Sequence, residues 1–130
     1  MPLTVQVVTP EREVTVADDA TFVLAHGTEG DIGIMPGHAP LLISLGVGPL
    51  AIEREGKRQT MLVDGGFLQV KNDSVIVLAE YAVLPDEIDA ASLPTEIEEL
   101  KRRLQTEASD EAARKELVRA EALQKLIQVG

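Results

Sequence analysis

A chain of 130 residues with a formal charge of −10, three aromatic side chains and no cysteine excludes several classes of function. Disulfides, zinc–thiolate sites and cysteine nucleophiles are ruled out, and an acidic chain with little to stack on bases does not suit nucleic acid. There is no leader pattern and no run of about eighteen apolar residues, so export by that route and direct membrane insertion are not expected; the length suits one or at most two small domains.

From Leu3 to Val8 the residues alternate, Thr9-Pro10-Glu11-Arg12 marks a turn, and Val14 and Val16 resume the alternation. Asp18-Asp19 reads as a break, and Thr21 to Ala25 as a more buried strand. Next comes the stretch Gly27 to Leu42, with four glycines and two prolines in sixteen positions. Such a composition requires tight turns at positive or fixed φ. Ile32, Ile34 and Met35 inside it, with Leu41 and Leu42 opening a strand, pin those turns to a core. Glu29, Asp31 and His38 are therefore expected on a rigid, irregular surface, which is either an ordinary sandwich corner or a docking site built on one.

Leu42 to Leu45, Leu50 to Glu53, Gln59 to Val63, Phe67 to Val70 and Val75 to Ala79 read as further strands. Gly46-Val47-Gly48-Pro49, Glu55-Gly56-Lys57, Asp64-Gly65-Gly66 and Lys71-Asn72-Asp73 read as the turns between them. Eight or more short strands with regular turn signals predict a flattened β-sandwich or barrel.

Pro85-Asp86-Glu87 marks a change of period. Leu93, Ile97, Leu100 and Leu104 form one helical stripe, and Pro94 fits only a first turn, so a helix is expected to start near Ser92 or Leu93. Thr106 to Asp110 interrupts it, with Ser109 or Asp110 as the N-cap of a second helix whose stripe is Ala113, Leu117, Ala120, Leu123 and Ile127. A short connection makes the pair an antiparallel hairpin, and neither helix is long enough to be stable alone. The expected division is thus residues 1–85 and 86–130. The first span holds five basic and eleven acidic residues and the second seven and eleven. Arg114, Lys115 and Arg119 lie among the basic residues of the second helix; Glu111, Glu116 and Glu121 are available as intrahelical partners, so a solvated face and a partner-binding face both remain open.

Catalytic patterns are missing from the sequence. No P-loop, dinucleotide fingerprint or nucleophile elbow occurs, and His26 and His38 lack metal-ligand spacing. No metal, cofactor or catalytic residue is expected, and His38 is expected to bond a neighbouring backbone group within a turn. Acid–base work by Asp31 with Asp64, or an enzyme using His38 with Asp31, would need the fold to bring those groups together.

The run Glu29-Gly30-Asp31-Ile32-Gly33-Ile34-Met35-Pro36-Gly37-His38-Ala39-Pro40-Leu41-Leu42 resembles the signature of the epsilon subunits of bacterial F-type ATP synthases, the counterparts of mitochondrial delta. Gly65-Gly66-Phe67-Leu68-Gln69-Val70 agrees with it, as does Val75 to Glu80 leading into Ile88-Asp89, and the likeness runs the length of the chain. It implies a ten-stranded β-sandwich followed by a helical hairpin. It also implies a non-catalytic central-stalk subunit that couples proton or sodium flow to ATP synthesis and restrains ATP hydrolysis. Such a subunit is peripheral to the cytoplasmic face of the bacterial inner membrane.

By this resemblance Glu29, Asp31 and His38 match the loop that meets the c-ring and the foot of the gamma subunit, with Met35 and Leu42 as apolar neighbours. Arg114, Lys115 and Arg119 are the side chains that could approach an acidic segment of the beta subunit when the hairpin extends. Some members bind ATP through a motif that Ile88 and Asp89 match; Ser92 stands where that motif has arginine, so weak or no ATP binding is implied. A stand-alone nucleotide-sensing module is the alternative reading.

Overall fold

Leu3, Val5 and Val7 are fully buried while Thr4, Gln6 and Val8 are turned outward, the period of two that defines β1 (Leu3–Val8). The computed structural model describes residues 2–129 and continues with six more strands: β2 (Glu13–Gly27), β3 (Gly30–Ile34), β4 (Leu41–Ser44), β5 (Val47–Arg54), β6 (Lys57–Lys71) and β7 (Ser74–Val83). A short 3-10 turn leads into α1 (Leu93–Thr106) and α2 (Glu111–Val129). The chain divides into two compact units, Met1–Leu84 and Pro85–Gly130. The end residues 1 and 130 of the spans expected from the sequence lie outside the described residues.

In the first unit β1 pairs antiparallel with β2 and parallel with β7, β7 pairs with β6, β6 with β5, and β5 with β2. Hydrogen bonding therefore runs full circle, with β3 added beside β2 and β4 beside β6. Among the described residues, closure leaves the short β3 and β4 as free edges. The enclosed space is filled by apolar side chains, most of them branched, among them Val23, Ile34, Leu50, Ile52, Met61, Leu68, Val70 and Val77.

Seven strands are described, not the ten implied by resemblance nor the eight or more read from the turn signals. The difference lies in β2, β6 and β7, which are long enough to serve both layers. The first half of β2 pairs with β1 and its second half with β5 and β3. Asp18-Asp19 ends no strand: it sits where the register to β1 shifts, between Ala17 and Ala20, the register to β5 shifts next between Ala20 and Phe22, and Asp19 Oδ1 accepts from Arg54 Nε at 2.6 Å. That bond holds the Asp19 carboxyl below the usual carboxylate range. Gly65 and Gly66, at φ of 75° and 109°, bend β6 without breaking its pairing to β7. The first half of β6 thus pairs with β5 and the second with β4. Part of the glycine-rich stretch, read as irregular, is the regular strand β3.

The second unit is the helical hairpin expected from its stripes. Leu93, Ile97, Leu100, Ala113 and Ala120 are buried together, with Leu104, Leu117, Leu123 and Ile127 packed around them. Pro94 lies in the first turn of α1. Asp110 caps α2, accepting from the Ala113 N–H at 3.0 Å, and its carboxylate also takes Arg103 Nη2 at 3.1 Å. The backbone bond first, and then Arg103, hold its carboxyl below the ordinary range. Glu116 departs from the expected intrahelical pairing, since it faces Arg103 of α1 at 3.9 Å.

Candidate functional site

The corner is built from two tight turns at opposite ends of β3. At the first, Thr28-Glu29 is a two-residue hairpin turn between β2 and β3, tied to β4 by Thr28 N–H donating to Ser44 O (3.1 Å) and by paired hydroxyls (2.7 Å). Because the turn has two residues, His26 and Asp31 are directly opposed, and His26 Nδ1 meets Asp31 Oδ1 at 2.7 Å. Glu29 and Asp31 are exposed.

At the far end of β3, Met35 O accepts from His38 N–H (3.1 Å) and the turn is clamped from below by Asp73, whose Oδ1 accepts the Gly37 N–H at 2.7 Å. Asp73 sits in the β6–β7 hairpin at φ 62°, next to Asn72 at φ 50°. His38 is half-buried and its Nδ1 donates to Ala39 O at 2.7 Å, the local backbone bond expected of it. Met35, 62 % exposed, is the apolar tip of this turn.

These are two subsites rather than one cluster. Met35 lies four residue steps along the chain from Asp31, about 13 Å at 3.3 Å per residue. An acid–base pair of His38 with Asp31 is therefore not formed: Asp31 is engaged by His26 and His38 by its own backbone. Asp64 lies in β6 opposite Tyr81, and no strand pairing joins β6 to β3. Among the described residues, no group of three His, Cys, Asp or Glu side chains is arranged to hold a metal.

Leu42 belongs to a third feature that the sequence reading did not assemble. It is 66 % exposed, and on the same outer face of β4, β6 and β7 stand Phe67 (55 %) and its cross-strand partner Leu78 (57 %). Val8 and Ile76, half-buried, extend the apolar strip across β1 and β7. A signal for it was present: Val75-Ile76-Val77-Leu78-Ala79 is apolar at both parities, the pattern of a strand covered on both faces. His26 was also missed, and reading Thr28-Glu29 as a two-residue turn would have placed it opposite Asp31.

In the hairpin, Arg114 donates to Ala108 O in the interhelical turn, Lys115 is exposed and Arg119 is half-buried. Ile88 packs on the helical cluster, and Ser92 folds back onto Asp89, its hydroxyl donating to Asp89 O at 3.1 Å.

A family model, ATP synthase delta/epsilon chain, beta-sandwich domain, matches residues 2–85. The chain is 47 % identical over 100 residues to the ATP synthase epsilon chain of Desulforudis audaxviator, covering 77 % of this chain and 72 % of that one. It is 45 % identical over 103 residues to that of Brevibacillus brevis, covering 78 % and 77 %. Among solved structures, a chain of the Euglena gracilis mitochondrial ATP synthase superposes with a TM-score of 0.78 at 24 % identity, over 98 % of this chain and 80 % of that one, a likeness of fold.

Proposed function

Because the chain belongs to the ATP synthase delta/epsilon family, whose epsilon chains are non-catalytic subunits of the central stalk, we propose that its sandwich docks at the foot of gamma and on the c-ring, and that its helices restrain hydrolysis. The observation that carries the docking is the outer strip of Leu42, Phe67 and Leu78, continuous through β4 with the rigid corner. Three large apolar side chains held more than half exposed on adjacent strands are stabilised by a partner that removes them from water. Gamma covers this strip together with Met35, while Glu29, Asp31 and His38 offer polar contacts to the c-ring loops. The Euglena chain of like fold comes from an OSCP/F1/c-ring assembly, which supports the same setting here.

Arg114, Lys115 and Arg119 of α2 act on an acidic segment of the beta subunit in the inhibitory state. No helix among the described residues is long and apolar enough to cross a membrane, and attachment is through the partner subunits, on the cytoplasmic face.

One reconstitution tests both parts, with the full chain added back to an ATP synthase stripped of this subunit. Phe67→Glu, at a site exposed in the free chain, is expected to leave folding unchanged and to weaken rebinding by about ten- to a hundredfold. Reversal of Arg114, Lys115 and Arg119 to glutamate is expected to leave rebinding intact and to raise ATP hydrolysis. Unchanged rebinding in the first case, or unchanged hydrolysis in the second, would refute the corresponding part.

Nucleotide sensing has little to work with. Ser92 supplies no cation where phosphate would need one, and its hydroxyl already serves Asp89 O. The isolated chain is expected to bind ATP more weakly than micromolar by calorimetry, and a micromolar dissociation constant would revive that reading.

A further inference from the structure

We infer that His26 is a positioning residue for the Asp31 carboxylate, setting the direction in which that carboxylate meets a partner bearing N–H donors. The inference rests on the reading above that Asp31 is a docking group. A carboxylate accepts only, so the 2.7 Å contact requires the proton on His26 Nδ1. Asp31 is 66 % exposed at its side chain and would otherwise sample several rotamers. The bond removes that freedom and leaves Oδ2 with no bond among the described residues.

The imidazole is itself held. Gly46 N–H donates to His26 O at 3.1 Å, and the ring lies directly over Gly48, where an added Cβ would fall 2.8 Å from His26 Cγ and 2.9 Å from Cδ2. Gly48 has no positive φ, so close approach of the ring, not backbone conformation, is what requires glycine there. The order of support runs from Gly48 in β5, through the ring on β2, to the carboxylate on β3. A side chain at position 48 would tilt the ring and swing Asp31 with it.

The test uses the full chain rebinding to the stripped ATP synthase, with a spectroscopic reading on the free chain. Asp31→Asn is expected to weaken rebinding about tenfold. His26→Ala is expected to weaken it about three- to tenfold, and to add nothing on top of Asp31→Asn. His26→Asn, whose amide nitrogen occupies the place of Nδ1, should restore most of the loss, and Gly48→Ala should reproduce it. In the free chain, imidazole nitrogen shifts at pH 8 should report the Nδ1–H tautomer and should change in Asp31→Asn. If Asp31→Asn rebinds normally, the docking role of Asp31 is wrong and the inference goes with it. If Asp31→Asn weakens rebinding but His26→Ala does not, or its effect adds to that of Asp31→Asn without rescue by His26→Asn, Asp31 docks without help from His26. An Nε2–H tautomer overturns the inference regardless of docking.

Discussion

Gly66→Ala is expected to destabilise the sandwich by about 4 kcal/mol, a large share of the whole stability of a unit this size. The φ of 109° at Gly66 is strained for any residue with a Cβ, and the Cβ itself would stand 2.0 Å from Leu78 O and 2.8 Å from the Ala79 Cα. Both neighbours are backbone of β7, paired in register through this point, so neither can yield without opening the ladder. The Gly66 carbonyl also accepts the Leu45 N–H at 2.8 Å, which couples the bend to the chain between β4 and β5. The adjacent position is the control. At Gly65, φ is 75° but the added Cβ would meet the carboxylate end of Glu80, which can swing away, so Gly65→Ala should cost only about 1 kcal/mol. Thermal melts check the pair: Gly66→Ala should lower the midpoint by about 15–30 °C and Gly65→Ala by a few degrees. Equal midpoints for the two variants would show that the contact with β7 is not what demands glycine at position 66.

Leu100→Ala is expected to melt the helical hairpin. Leu100 is 3 % exposed at the centre of a cluster made from one stripe of each helix. Truncating a buried leucine costs about 2–5 kcal/mol, and helices of 14 and 19 residues gain little from propensity alone. So small a unit has no second core to fall back on. Hydrogen exchange should show protection lost from Ile97 to Leu104 and across α2, while Val23, Ile52 and Leu68 in the sandwich keep theirs. Retained protection in α1 would mean that the packing of the two stripes is not what holds the helices.

The helices were the most legible part of the chain. Pro94 in a first turn, a cap at Ser109 or Asp110, of which Asp110 serves, and two stripes at steps of three and four are local signals, and a helix satisfies its backbone locally, so nothing distant had to be known. The strands were legible as apolar alternation and illegible as a count. Asp18-Asp19 and Gly65-Gly66 carry turn-forming residues, yet the strand continues through both, bulged at the first and bent at the second, because ladders to β1 and β5 flank the one and ladders to β5 and β4 flank the other. Turn propensity is a local preference, and ladder hydrogen bonds between distant segments overrode it.

The same division runs through the proposed docking surface. Sequence by itself determined that a glycine- and proline-rich segment pinned by Ile32 and Ile34 would form tight turns fixed to a core, with Glu29 and Asp31 exposed on them, since backbone restrictions and burial of neighbours are written in residue types; that His38 is half-buried was not legible. Only the tertiary structure decided that Asp31 belongs with His26 and not with His38, that Asp73 clamps the His38 turn from 36 residues away, and that Phe67 and Leu78 join Leu42 in one apolar strip. Those facts depend on strand register. Register is set by the sum of many weak pairings along the sheet, and no single stretch of sequence contains it.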